Sequence, residues 1–167
     1  SRKTKELDEA RQLQYSMLPK ELPQLPHLDI AVYMKTATEV GGDYYDFIHA
    51  PNEQQGRFGV IIGDVTGHGI AAALLMTTAR AFLRMRSFQP GSLAAVIDDV
   101  NRLMCADLAD SGRFMTLFYL AIDIEKKRLH WVRAGHDPIM LYDAATGLTG
   151  DIPDKGGPPL GIVIEAR

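Results

Sequence analysis

One aspartate stands at the end of an apolar run and is followed at once by glycines: Gly59-Val60-Ile61-Ile62 leads into Gly63-Asp64-Val65-Thr66-Gly67-His68-Gly69, and a long helical pattern starts near Ile70. No other segment restricts the fold as much. The apolar run demands a strand, the glycines permit an abrupt turn, and the helix must begin directly after it. An acid held at a strand end beside glycines reads as a site. Twenty-one residues before Asp64, the stretch Glu39-Val40-Gly41-Gly42-Asp43-Tyr44-Tyr45-Asp46 supplies a second carboxylate cluster, whose paired glycines let the backbone come close to whatever the acids hold.

Two acidic, glycine-flanked turns suit a hard metal ion. Mg²⁺ and Mn²⁺ favour carboxylates, backbone carbonyls and water, and they keep several waters rather than taking a complete protein cage. Two such ions about 3.5–4 Å apart turn a bridging water into a nucleophile near neutral pH and clamp a phosphoryl oxygen. Phosphoester hydrolysis is the reaction that follows from this donor set.

The residues carry a resemblance that extends over nearly the whole chain. Ala10-Arg11-Gln12-Leu13-Gln14 with Leu18-Pro19, Glu39 through Asp46, Gly63 through Gly69 with Ala71-Ala72-Ala73-Leu74, Phe114-Met115-Thr116-Leu117-Phe118-Tyr119, and Ala134-Gly135-His136-Asp137-Pro138 come in the order of the metal-dependent serine/threonine protein phosphatases. The chain is similar to this family (PPM, or protein phosphatase 2C-like) in its bacterial SpoIIE-type branch. The resemblance implies that Asp43 and Asp64 are catalytic metal ligands and that the Val65 carbonyl binds one ion. It implies two Mn²⁺ or Mg²⁺ ions in a complete domain and direct attack of water without a phosphoenzyme. Its substrate would be a phosphorylated protein, by analogy an anti-sigma-factor antagonist in a partner-switching pathway. An isolated aspartate at position 64 would read as an N-cap or turn acid, whereas the flanking motif favours a ligand.

Around these residues the reading is less specific. Glu39 and Asp46 belong to the pattern, yet acids beside a loop are ordinarily solvated. His68 is expected to stabilise the turn rather than to ligate, because a hard ion prefers oxygen to imidazole. His136 is expected to support a tight turn, and Lys35 lies near the first acidic turn as a solvated lysine or a phosphate contact. In the resembled family further metal-ligating aspartates come from an Asp-Gly motif and a late aspartate, both downstream of Arg167. Asp151 and Asp154 fall in a Pro/Gly-rich loop and Asp98-Asp99 in a helical register, so none takes their place. The expectation is a chain cut inside its domain, with 1–19 as an N-terminal linker or regulatory helix and 20–167 as a phosphatase domain lacking its C-terminal part. The alternative function is a phosphatase-fold module without the full metal centre, which binds and sequesters a regulatory partner.

Composition sets the remaining bounds. The 167 residues are within the range of one globular domain, and no run approaches the roughly 18 consecutive apolar residues of a membrane span. The N-terminus is charged and lacks a signal-peptide pattern, so the chain reads as cytoplasmic with no membrane association. The net charge of −3 argues against nucleic acid. The single cysteine excludes an intrachain disulfide framework, and Ser111 stands where a cysteine phosphatase would place its arginine six residues after Cys105. Cys105 therefore reads as a buried structural thiol. No phosphate-cradling Walker loop is present, and no nucleotide cofactor is implied.

Periodicity gives the order of elements. Leu7, Ala10, Leu13 and Met17 recur at helical spacing from about Thr4 to Leu18, ending at Pro19. Pro23 and Pro26 make a connector to an expected strand, Leu28 to Met34, and a second strand, Phe58 to Gly63, delivers Asp64. A helix follows from Gly69 to about Phe88, with Ile70, Ala73, Leu74, Thr77, Ala81 and Arg84 as its small-residue packing face. Pro90-Gly91 ends it, and Ser92 caps the next helix, whose stripe is Leu93, Val96, Ile97, Val100, Leu103 and Met104. Phe114 to Ile122 reads as a strand covered on both faces, and Leu129 to Ala134 and Pro138 to Tyr142 as antiparallel hairpin strands. Strands, two helices and more strands mean α+β. The resemblance, and not the pattern, specifies an antiparallel β-sandwich flanked by helices, the four-layer αββα arrangement. It also implies that the N-terminal helix joins an upstream sensor or receiver domain and can mediate a homodimer; packing of that helix on its own domain is the equal alternative.

Overall fold

The computed structural model of the chain describes residues 2–36, 40–49 and 57–164. Its elements are helix α1 (Arg2–Met17), strands β1 (Asp43–Ile48) and β2 (Arg57–Val65), helices α2 (Gly69–Ser87) and α3 (Leu93–Leu108), and strands β3 (Met115–Asp123), β4 (Arg128–Ala134), β5 (Met140–Asp143) and β6 (Leu148–Asp151). Strands β1-β2-β3-β4 form one antiparallel sheet in that order, and β5-β6 form a separate two-stranded sheet. The α+β class is borne out. Of the four-layer arrangement, the described residues supply one helical layer and one four-stranded sheet, with β5-β6 apart.

The core lies between this sheet and the α2–α3 pair. Ala72, Met76, Ala79 and Leu83 from α2 and Val96, Ile97, Val100 and Met104 from α3 meet Tyr44, Ile48, Ile61, Val65, Met115, Leu117 and Tyr119 from the sheet. A side chain such as Ile61, fully buried, contributes about 1.5–3 kcal/mol through the surface it removes from water. Ser92 caps α3 as expected, its hydroxyl accepting the Ala95 N–H at 3.1 Å. Cys105 is buried on α3 beside Asn101, as expected of a structural thiol.

Four expectations are corrected. No strand forms at Leu28 to Met34, where a lone bridge joins Leu25 to Leu28; alternation favours extended backbone, but a ladder needs a partner that this segment does not meet among the described residues. Conversely, the segment from Asp43, read as a turn, is strand β1 with strictly alternating burial. The buried face of α2 is Ala72, Ala73, Met76, Ala79 and Leu83, while Ile70 and Leu74 are exposed. That helix carries apolar or small residues nearly all round, so composition alone does not set its phase. Finally, β5 pairs not with β4 but with β6, across a turn containing Gly147 at φ +71°.

Helix α1 forms over the expected span, yet its one buried residue is Gln14 rather than a member of the apolar series, and Leu13 is exposed. Arg80 donates through Nε to the Met17 carbonyl at 3.0 Å, and Leu18 enters the core, so the helix is docked by its C-terminal end.

Candidate metal centre

The two expected carboxylates meet at one end of the sheet. Asp43 opens β1 and Asp64 is the penultimate residue of β2, and the register sets them directly opposite each other. Directly opposed residues of an antiparallel pair project from the same face. Because β1 alternates, that face is the one turned away from the helices: Tyr44, the next residue, is buried in the core. Continuing across β2 to β3, Asp64 is opposite Thr116, so Asp43, Asp64 and Thr116 form a row over three adjacent strands.

Glycine 42 explains how the backbone of Val65 joins the row. Its carbonyl accepts the Val65 N–H at 3.2 Å, and a Cβ at position 42 would stand 2.6 Å from the Val65 carbonyl oxygen. Only a residue without a side chain leaves that oxygen uncovered. Beyond Val65, Thr66 exchanges hydrogen bonds with Phe114 through both backbone and hydroxyl, and Arg113 donates through Nη1 to the Thr66 carbonyl at 3.2 Å. Gly67 and Gly69 take positive φ of 88° and 72°, which turns the chain directly into α2. His68 occupies the N-cap position without a side-chain cap bond and is exposed, so its part in the turn is backbone alone.

The electrostatics match the geometry. The Asp64 carboxyl is raised above its ordinary pKa, first by burial and then by the charge and hydrogen bond of Asp43. Two carboxylates held face to face repel each other unless a proton or a cation lies between them. With the Val65 carbonyl they offer three hard oxygen donors, a set that fits Mg²⁺ or Mn²⁺ retaining waters and does not fit a soft metal. Among the described residues no third His, Cys, Asp or Glu completes a cluster with them. Glu39 lies outside the described residues. Lys35 is exposed.

Asp46 is neither solvated nor part of this site. Three residues on from Asp43, it falls on the other face of β1 and is 2% exposed. Arg84 of α2 donates through Nη1 to both of its oxygens at 2.8 and 2.7 Å, and the Tyr44 hydroxyl donates to Oδ2 at 2.5 Å. Burial first, and then the Asp46 charge, push the Tyr44 hydroxyl far above the usual phenol range. Strand alternation was the signal that separates the two aspartates. Asp154, Asp99 and Asp98 also stay outside: Asp154 accepts from Trp131 and Arg133, Asp99 from Arg86, and Asp98 lies on α3. The residues that sequence reasoning did not bring to the site are Thr116 and Arg113. His136 is half-buried beside the row, with Nδ1 3.0 Å from Thr116 Oγ1.

The sequence model of a family described as Stage II sporulation protein E (SpoIIE) matches residues 54–167, more than half of the chain. The chain belongs to the SpoIIE family. The SpoIIE match takes in Asp64, Val65, Thr116 and His136, while Asp43 lies ahead of it. Two curated relatives extend further: Protein IcfG of Synechocystis is 29% identical over 83% of this chain and 26% of its own length, and phosphoserine phosphatase RsbU of Bacillus subtilis is 28% identical over 90% of this chain and 44% of its own. This SpoIIE-family chain thus spans between a quarter and a half of these relatives. Among solved structures, the SiaA-PP2C domain of Pseudomonas aeruginosa superimposes with a TM-score of 0.74 over 99% of this chain and 65% of that one, at 23% identity. A Mycobacterium tuberculosis structure of RsbU and RsbW domains matches with a TM-score of 0.65 over 78% of this chain and 35% of that one, at 26% identity. The fold is that of the PP2C-type phosphatase domains.

Proposed function

We propose that the chain is the catalytic part of a metal-dependent protein serine/threonine phosphatase, and that Asp43, Asp64 and the Val65 carbonyl hold its divalent ions. The observation that carries the reading is the direct opposition of Asp43 and Asp64 at the end of β1 and β2, beside a carbonyl kept open by Gly42. It is supported by the relatives named phosphoserine phosphatase, RsbU and RsbP of Bacillus subtilis. Mn²⁺ or Mg²⁺ bound there would supply a water of lowered pKa and neutralise phosphoryl charge. The chain's own residues hold the ions and fix the turn: Gly42 leaves room at the Val65 oxygen, Arg113 and Thr66 brace the segment that follows, and the ladder keeps the two carboxylates from drifting apart.

The substrate class is a phosphoserine or phosphothreonine protein, an antagonist of an anti-sigma factor being the candidate to try first. In the whole protein, α1 joins an upstream sensor or receiver domain and supports a homodimer, in the cytoplasm. Among the described residues no helix is long and apolar enough to cross a membrane. A second reading, a phosphatase-fold module that sequesters a partner, is favoured by one observation: only two carboxylates gather among the described residues.

Phosphate release from a phosphoseryl protein, measured on the full parent chain with and without Mn²⁺ and beside Asp64→Asn, separates the readings. Metal-dependent release that vanishes in the variant is expected. No release from the intact chain would replace the phosphatase by the binding module.

A further inference from the structure

The row that begins with the two carboxylates does not stop at Thr116. Past β4 the chain turns at Gly135, and His136 comes back over β3 to lie beside Thr116. This placement is heavily constrained. Gly135 has φ +64°, its N–H donates to the Gly157 carbonyl at 2.7 Å, and a Cβ there would lie 2.3 Å from Pro159 Cγ. Arg133, itself held by Asp154, donates through Nη1 to the His136 carbonyl at 2.9 Å. The histidine backbone is therefore fixed from both sides, and its ring from a third.

The hydrogen bonds around Thr116 admit two tautomers of this ring. Thr116 has one hydroxyl hydrogen and two acceptors in reach, His136 Nδ1 at 3.0 Å and the Asp64 carbonyl at 3.5 Å. With the hydroxyl directed at the nearer Nδ1, that nitrogen accepts and the hydrogen is on Nε2; with it directed at the Asp64 carbonyl, Nδ1–H donates to Thr116 instead, and the role proposed for the ring requires the first arrangement. Burial keeps the ring neutral by lowering its pKa, with Arg133 acting in the same direction and Asp137 against it. Nε2 has no protein partner among the described residues. On a half-buried ring that nitrogen is satisfied by water and is open to a ligand. One nitrogen is thus held by a residue of the row and the other is left open.

We propose that His136 is a further catalytic residue, its Nε2–H donating a hydrogen bond to the ester oxygen of the substrate as that oxygen leaves phosphorus, with Thr116 as the residue that orients it. The proposal rests on the phosphatase reading above. Adjacent strands are about 4.8 Å apart, so the imidazole, beside Thr116, is one to two strand spacings from the Asp43–Asp64 pair, and in the proposed complex the ester oxygen of a phosphoryl group held there is on the β3 side. Water adds to phosphorus through its oxygen, and the bond from phosphorus to the seryl oxygen breaks with its electron pair on that oxygen. The proton released by the attacking water reaches the seryl oxygen through solvent. The products are the free hydroxyl and inorganic phosphate. The imidazole stays neutral throughout and keeps its proton; its part is to stabilise developing negative charge as a preorganised donor.

The test is the dependence on the leaving group. A seryl oxygen leaves as a strongly basic alkoxide and needs the donor, whereas p-nitrophenolate spreads its charge into the ring. The full parent chain and the variants His136→Ala, His136→Gln and Thr116→Val are assayed on a phosphoseryl protein and on p-nitrophenyl phosphate, with folding verified by circular dichroism. His136→Ala is expected to lower kcat on the phosphoseryl protein about 100-fold and on p-nitrophenyl phosphate about threefold or less. His136→Gln, which keeps an N–H donor, recovers part of the loss, and Thr116→Val shows the same selectivity in weaker form. Equal losses on both substrates, or none, would overturn the proposal. If His136→Ala fails to fold, the other two variants decide it by the same ratio. A wild-type chain inactive on both substrates would instead remove the phosphatase reading, and this proposal with it.

Discussion

Gln14 and Gly41 satisfy each other twice: the glutamine Nε2 donates to the Gly41 carbonyl at 2.8 Å, and the Gly41 N–H donates to the glutamine Oε1 at 3.1 Å. Helix α1 is thereby fastened to the backbone two residues before Asp43, through its one buried side chain.

Truncating that side chain removes both bonds together. Gln14→Ala is expected to destabilise the fold by roughly 1–3 kcal/mol, at about 0.5–1.5 kcal/mol per bond. The readout is a lower urea midpoint at unchanged slope. Gln14→Glu keeps the acceptor and loses the donor, and falls between the two.

The facing carboxylates give the metal-free protein a pH dependence of definite sign. Asp64 has a raised pKa in the folded chain, so the folded state holds the proton more tightly than the unfolded state does. The stability this contributes is present below the ordinary carboxylate pKa and is lost as pH rises through the folded value. In chelator near neutral pH, Asp64→Asn should therefore stabilise the chain, by about 0.5 kcal/mol for one relieved like-charge cross-strand pair. Adding Mn²⁺ should reverse the ranking, because wild type gains by mass action what the variant cannot, about 2.7 kcal/mol at a hundredfold excess over Kd. Urea melts at several pH values, with chelator and with metal, check both halves.

The Asp46–Arg84 pair stabilises by compensation rather than by net attraction. Replacing Arg84 by Met leaves a carboxylate that is 2% exposed without its cation. Loss of one partner of a fully buried pair costs more, but the Arg84 side chain is 35% exposed, and about 2 kcal/mol is expected here. Chemical denaturation of Arg84→Met beside Asp46→Asn measures it, and the double variant should recover part of the loss.

Two glycines of nearly equal φ provide a controlled comparison. Gly135 and Gly147 stand at +64° and +71°, yet a Cβ at 135 would lie 2.3 Å from Pro159 Cγ, while nothing lies within 4 Å of one at 147. Gly147→Ala should cost about 1–2 kcal/mol for the left-handed backbone alone. Gly135→Ala should cost clearly more, because Pro159 is part of a backbone-bonded loop and cannot swing aside. Thermal unfolding of the two variants gives the difference directly.

Strongly periodic elements were legible in the sequence, and the reasons differ for those that were not. The α3 stripe and the Ser92 cap are local, as is the apolar run that became β2. Strand β1 was hidden because Asp43-Tyr44-Tyr45-Asp46 reads as an acidic turn until alternation is applied to it, and β6 because Leu148–Asp151 is exposed throughout. The pairing of β5 with β6 is local, across the short turn that Gly147 closes, and was missed because β6 itself was not read as a strand. At the candidate site the same division holds. Asp43 and Asp64 announce themselves by their glycines, whereas Thr116 looks like any strand threonine until the register sets it opposite Asp64. Arg84 and Asp46 are 38 residues apart, and their pairing follows only from packing α2 on β1.

The loop that confines Gly135 also governs when, during synthesis, the row can exist. Leu160 exchanges backbone hydrogen bonds with Met115 at 2.8 and 3.0 Å, and Gly157 bonds both Arg133 and Gly135. Strands β1 and β2 are neighbours in sequence and can pair as soon as both have emerged from a ribosome, but β3 is separated from β2 by two helices, and its first residue is secured by a segment 45 positions later. Translation thus delivers the two acids early and the threonine and histidine late, and a nascent chain arrested before Met115 carries the carboxylate pair without the threonine and histidine beside it.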